Sequence, residues 1–219
     1  MKIINQEKKC AVCGEVNQYS EILSSHNFGY PDLDLKPATD NIGIGIQECP
    51  NCHYCNYDIS NTIEKRFYNN LELWNSSDDF KELKSIENDR LRRVLIVAQQ
   101  YKDNLDYYEA YKNFLAASWL CENEEDIKKY QGEAMNIYFN NIFSKYIDDI
   151  LQAVDICRMN GGLDQASLLL RMLEELYKDE TKFDEEDIFK KKIINAERQL
   201  ISNGDTKRHN AGEFVNKNE

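Results

Sequence analysis

All three prolines of the 219-residue chain, Pro31, Pro37 and Pro50, fall within the first 50 residues, and none follows in the remaining 169. Glycine repeats the asymmetry: between Ser60 and Asn203 only Gly132, Gly161 and Gly162 occur. These two residue types interrupt helices most strongly, so long helices are permitted beyond residue 60 and opposed before it. The first 60 residues carry five of the seven cysteines but few large apolar side chains, too few for a core that folds without help. The expected fold is mainly α. A small β or irregular module over 1–60 precedes an antiparallel helical array over 61–203, and the polar segment 204–219 reads as a frayed or disordered tail.

What could help the small module fold is written in its cysteines. Cys10-x2-Cys13 and Cys49-x2-Cys52 are two CxxC pairs separated by 35 residues. Each CxxC turn presents two sulfurs from one tight loop, and two such loops complete a tetrahedral four-thiolate shell for Zn²⁺. Gly14 follows the first pair, where such a turn needs a positive φ, and His53 holds the same place after the second. Ile42-Gly-Ile-Gly-Ile46 alternates like a strand leading into the second loop, as in a zinc ribbon. The ribbon spacing is usually about 15–20 residues, so 24–41 reads as an insertion. Cys55 leaves a choice, because Cys52-x2-Cys55 is a further CxxC; Pro50 after Cys49 favours Cys49 and Cys52. Cys49-Pro-Asn-Cys-His53 also spells a c-type haem attachment, but that reading ignores Cys10 and Cys13. An iron–sulfur run would need a cysteine where Ile59 stands. A disulfide framework would need an exported chain, and the N-terminus has no apolar signal core. Cys121 and Cys157 lie on apolar helix faces and read as buried small hydrophobes.

Helical periodicity is plain after residue 90. Val94-x2-Val97-Ala98-x2-Tyr101 followed by Ala110-x3-Phe114 has the offsets of a tetratricopeptide repeat. The offsets return in Ile150-x2-Ala153-Val154-x2-Cys157 followed by Ala166-x3-Leu170. Small residues at Ala98 and Ala110 would let paired helices approach closely. The two pairs are 56 residues apart rather than about 34, room for one extra helix, and the repeat's Trp and closing Pro are missing. A plain antiparallel bundle is the competing reading. The final helix is expected over 185–202.

Charge narrows the function. The chain carries 27 Lys and Arg against 39 Asp and Glu, a net charge of −12, and residues 1–60 hold four bases against eight acids. Four thiolates around Zn²⁺ would add a further two negative charges, so a nucleic-acid-binding ribbon is disfavoured. No apolar stretch reaches a membrane span. His26, Asp32 and Asp34 in the insertion could in principle bind a second metal or act as acid and base. They fit no named motif, and Pro31-Asp32 and Lys36-Pro37 read as turns with the aspartates facing water. No glycine-rich phosphate loop is present. Tyr101, Tyr107, Tyr108, Tyr111, Tyr130, Tyr138 and Tyr146 could line a peptide groove, although core packing explains most of them.

Taken together, Cys10-Ala-Val-Cys-Gly14, Phe28-Gly-Tyr-Pro-Asp-Leu-Asp-Leu-Lys-Pro37 and Gln47-Glu-Cys-Pro-Asn-Cys-His-Tyr-Cys-Asn-Tyr-Asp-Ile-Ser60 resemble a group of uncharacterised bacterial proteins. That group joins an N-terminal zinc ribbon to tetratricopeptide-like helices. The resemblance covers the first 60 residues well and the helices only in general character. It implies metal ligands and a bacterial cytoplasmic home but no activity. The resulting expectation is a non-enzymatic adaptor: Zn²⁺ on Cys10, Cys13, Cys49 and Cys52, and helices facing a protein or peptide partner. A nucleic-acid-binding ribbon and a metalloenzyme centred on His26 to Asp34 are the alternatives.

Overall fold

A computed structural model describes residues 2–24, 29–39, 41–61, 74–142, 146–178 and 185–215. The chain is mainly helical, with short strands confined to the N-terminal part. It forms two compact units. One combines Met1–His26 with Asp40–Ile142, and the other combines Asn27–Thr39 with Phe143–Glu219. Much of the expected insertion therefore belongs to the unit containing the C-terminal helices.

The first unit starts with a two-stranded antiparallel ribbon, β1 (Lys2–Lys9) and β2 (Val16–Ser24), in which Lys9 lies opposite Val16. A second, minimal ribbon pairs β3 (Gln47–Glu48) with β4 (Cys55–Asn56). Each ribbon ends in one CxxC turn. The expected strand over 42–46 is not formed, and those residues make successive turns instead. Gly43 has φ +73°, and a Cβ there would stand 2.7 Å from Val94 Cγ2 and 3.6 Å from the Arg90 carbonyl. Gly43 thus serves close packing against a helix, and Ile46 is the isoleucine of this stretch that becomes buried.

Among the described residues the named helices of this unit are α1 (Asp78–Lys84), α2 (Asp89–Asp103), α3 (Tyr107–Leu120) and α4 (Glu124–Ile137). Their starts are set by local chemistry. Ser77, Asn88, Asp106 and Asn123 each accept a backbone N–H of the first turn through the side chain. In the sequence, Asn61-x-x-Glu64 and Ser76-x-x-Asp79 each have the form of a helix start, a short acceptor followed by an acid in the first turn; α1 begins one residue later than the second of these, and the first extends outside the described residues. Helix α2 packs on α3 and α3 on α4, and Ala98 and Ala110 are fully buried, as close helix approach requires. The turn into α3 places Leu105 at φ +62°. A π-helical turn, Tyr138–Ile142, extends α4.

The second unit contains α5 (Ile147–Met159), α6 (Leu163–Lys178), α7 (Glu185–Ser202) and the short α8 (Gly212–Val215). Gly161, at φ +81°, makes the turn between α5 and α6. Helix α7 covers the expected 185–202, but it is not the last helix. Within the segment read as a frayed tail, residues 208–212 are anchored: Ala211 is buried, its N–H donates to the Pro31 carbonyl, and Asp32 bridges to Asn210. The reason is a buried charge cluster. Arg158, fully buried on α5, donates through Nε to Glu197 of α7 at 3.0 Å and through Nη2 to Asp155. Its Nη1 donates to the carbonyls of Asp205 and Lys207 at 2.7 and 2.8 Å. Four of the five guanidinium N–H groups are thereby used, two of them on the backbone that follows α7.

Candidate metal centre

The two CxxC turns are built to one backbone plan. In the first, the Cys10 N–H donates to the Glu15 carbonyl at 2.8 Å and the Gly14 N–H to the Cys10 carbonyl at 3.0 Å. In the second, the Cys49 N–H donates to the Tyr54 carbonyl at 2.8 Å and the His53 N–H to the Cys49 carbonyl at 2.9 Å. The residue after the second cysteine is left-handed in both, Gly14 at φ +77° and His53 at φ +59°. The position therefore accepts a non-glycine residue, at the cost of some strain.

This plan brings four sulfurs to one point. The Sγ atoms of Cys10, Cys13, Cys49 and Cys52 all lie within 4.8 Å of one another. Across the turns, Cys10 and Cys52 are 3.7 Å apart and Cys13 and Cys49 are 3.5 Å apart. A tetrahedral site with Zn–S bonds of about 2.3 Å needs S···S separations of about 3.8 Å. A disulfide needs about 2.05 Å, and all four cysteines are free. The donor set, four soft thiols in near-tetrahedral proximity, fits a metal ion. Cys55 lies outside this group: it is buried on β4, and its thiol points to the His53 carbonyl at 3.7 Å.

Burial divides the four. Cys10 and Cys49 belong to a small core with Tyr19, Tyr54 and Ile59, edged by Ala11, Val12, Cys52 and Trp74. Burial pushes the Cys10 thiol up, partly offset by the Cys13 and Val12 N–H groups. Burial pushes the Cys52 thiol up as well, with neighbouring sulfurs adding to it. Burial also acts upward on Cys13, but Asn51, the Glu15 N–H, Cys49 and Cys52 outweigh it and bring that thiol down to about 7. Cys13 is the exposed member of the group. The resistance to ionisation that burial imposes on Cys10 and Cys52 is what a bound cation reverses, since a metal-bound sulfur is held as thiolate.

Anchors between this centre and its surroundings were not legible in the sequence. Glu48 accepts from His53 Nδ1 at 3.0 Å, from Lys84 of α1 at 2.9 Å and from Arg92 of α2 at 3.4 Å. Burial raises its carboxyl, but the Lys84 ammonium, the His53 hydrogen bond and the Arg92 charge prevail and hold it below the usual carboxylate range. The Ala11 N–H donates to the Ile59 carbonyl at 2.9 Å, and Asn75 Nδ2 to the Cys52 carbonyl at 2.9 Å. His53 also lies 5.7 Å from the Phe80 ring. His53 thus ties the second turn to α1 rather than serving as a fifth ligand.

The residues of the alternative metalloenzyme reading are placed differently. Asp34 is fully buried instead of facing water; it accepts the Lys36 N–H at 3.1 Å and pairs with Arg208 at 3.4 Å. Asp32 pairs with the same guanidinium at 3.7 Å. These carboxylates thus hold residues 31–36 to 208–211, with Leu33 buried between them. His26 lies outside the described residues. Cys121 donates to the Ala117 carbonyl at 3.3 Å, and burial pushes both its thiol and that of Cys157 up to about 11, as expected of unreactive cysteines. Of the tyrosines, Tyr111, Tyr130 and Tyr138 are core, whereas Tyr108 and Tyr146 are exposed.

Among the described residues, no helix is long and apolar enough to cross a membrane. Comparison with protein-family models, curated proteins and solved structures finds no match to this chain.

Proposed function

We propose that this chain is a zinc-binding interaction adaptor, in which Zn²⁺ on Cys10, Cys13, Cys49 and Cys52 orders the N-terminal ribbons and the helices present a surface to a protein or peptide partner. The convergence of four sulfurs within 4.8 Å carries the reading. When bound, the ion supplies cross-linking: it closes the 35-residue loop between the two turns and replaces a core too small to hold them. Four thiolates fill a tetrahedral shell, which is the arrangement of a structural site, whereas a catalytic site keeps a position open.

The helical part supports the adaptor half of the proposal. Two antiparallel pairs, α2 with α3 and α5 with α6, share the tetratricopeptide-like offsets, and Ala98, Ala110 and Ala166 are fully buried. Helix α6 leaves Leu168 and Leu176 exposed along one side, apolar surface of the kind protein partners cover. Against a nucleic-acid role stands the charge: beyond residue 60 there are 23 Lys and Arg against 31 Asp and Glu. A cytoplasmic location accords with reduced thiols.

Elemental analysis of the purified full chain tests the centre, with one zinc per chain expected. C55S should leave that stoichiometry unchanged and C13S should abolish tight binding. Iron in place of zinc, or metal released by C55S alone, would refute the assignment.

A further inference from the structure

Two buried donors beside the thiols remain without acceptors. Tyr19 stands on β2 with 7% of its surface exposed, in the small core it shares with Cys10 and Cys49. Its hydroxyl has no hydrogen-bond partner among the described residues, and neither has Asn17 Nδ2, two positions earlier on the same face of the strand. A buried hydroxyl or amide without a partner costs about 1–3 kcal/mol, so two adjacent ones call for an explanation. Their surroundings offer one. The Tyr19 hydroxyl lies against Cys49, and the Asn17 amide lies against the Tyr19 oxygen.

A neutral thiol is a weak acceptor, whereas a metal-bound thiolate is a strong one. Zn²⁺ with four thiolates carries a net charge of −2, and Cys49 is the cysteine of the group with no exposed surface, so water cannot neutralise it there.

We infer that Tyr19 is a positioning residue of the metal centre, its hydroxyl donating to the Cys49 thiolate and being oriented in turn by Asn17. This rests on the four-cysteine zinc reading and deepens it. The two orphan donors are thus a chain, Asn17 N–H to Tyr19 O–H to Cys49 Sγ, completed when the sulfur becomes an anion. Groups in this position commonly change metal affinity by about 10–100-fold.

The test uses the full chain, wild type and Y19F, loaded with Co²⁺ as a spectroscopic substitute for Zn²⁺. Phenylalanine preserves the ring, and thermal melting checks that the variant folds. Both proteins should bind one Co²⁺ with the intense thiolate-to-cobalt absorption of a four-sulfur tetrahedral site. In Y19F the thiolate band should shift, and competition with a chromogenic chelator should show about 10–100-fold weaker Zn²⁺ binding. N17A should weaken binding less, and the Y19F/N17A double variant should be no weaker than Y19F, because Asn17 acts only through the hydroxyl. Equal affinity and an unshifted band in Y19F overturn the inference, and so does an additive double variant. Failure of the wild type itself to bind cobalt defeats the underlying zinc reading instead, so the two failures are distinguishable.

Discussion

Replacing Asp155 by asparagine probes how the second unit tolerates a cluster with one cation and two carboxyls. Asp155, Arg158 and Glu197 have no solvent exposure, and Arg158 bonds one oxygen of each acid. The remaining oxygens, Asp155 Oδ2 and Glu197 Oε1, are buried and have no hydrogen-bond donor among the described residues. Two ionised carboxylates there would leave one uncompensated negative charge, whereas one retained proton removes that charge and supplies a donor. Burial, then the charge of Glu197, push the Asp155 carboxyl well above its ordinary range despite Arg158. Burial raises Glu197 as well, with Asp34 adding to it. The folded unit therefore holds a proton that an unfolded aspartate releases at about pH 3.9. The stability carried by that proton is complete below the unfolded value and is lost as pH rises toward the folded one, at up to about 1.4 kcal/mol per pH unit. The asparagine side chain of D155N would place an amide N–H where the proton sits and needs no protonation. Relative to wild type, D155N should thus gain up to about 1.4 kcal/mol for each pH unit above about 5. Urea unfolding of both proteins at pH 5, 6, 7 and 8 measures this, with hydrogen exchange of peptides from 147–159 and 185–202 assigning it to the second unit. As a companion, R158M leaves both acids and the Asp205 and Lys207 carbonyls without their donor. It should cost about 3–5 kcal/mol. If D155N instead loses about 3–5 kcal/mol at every pH, Asp155 is an ionised counter-ion of Arg158 and the shared proton is refuted.

Stripping the metal with a chelator should disorder the CxxC ribbons while far-UV circular dichroism retains its helical signal, because structural zinc contributes on the order of 10 kcal/mol to such modules. Loss of the whole helical signal would mean that ribbons and helices form one cooperative core. Leu105→Gly should raise the urea midpoint, gaining about 0.5–1 kcal/mol, because Leu105 sits at φ +62° with 56% of its surface exposed. A lower midpoint would show that its remaining contacts outweigh the backbone strain.

Local physics was legible in the chain because its causes are close in sequence. A CxxC turn needs only residues three apart and a left-handed position after them, and both turns form as the spacing implies. Periodic apolar residues placed α2, α3 and α5 to α7, and the range of α7 matches the expected 185–202. The Ile42 to Ile46 stretch misled for the opposite reason. Its alternation has strand character, yet Gly43 answers to Val94 and Arg90, about 50 residues away in the chain.

Composition, spacing and periodicity by themselves determined the mainly helical class, the grouping of thiols by pairs and the acidic character that disfavours polyanions. Only the tertiary structure decided which polar groups are buried and what they face. Asp34, read as solvated, is held by Arg208 from 174 positions away. Glu48 gathers Lys84 and Arg92 from two helices, and Arg158 binds the backbone beyond α7, which folds a segment whose polar composition reads as disorder. Tyr19 is one of 13 tyrosines until its hydroxyl is seen against Cys49. The physical reason is common to all four. A buried charge or hydroxyl is set by desolvation and by partners brought from distant parts of the chain, and neither leaves a local pattern in the sequence.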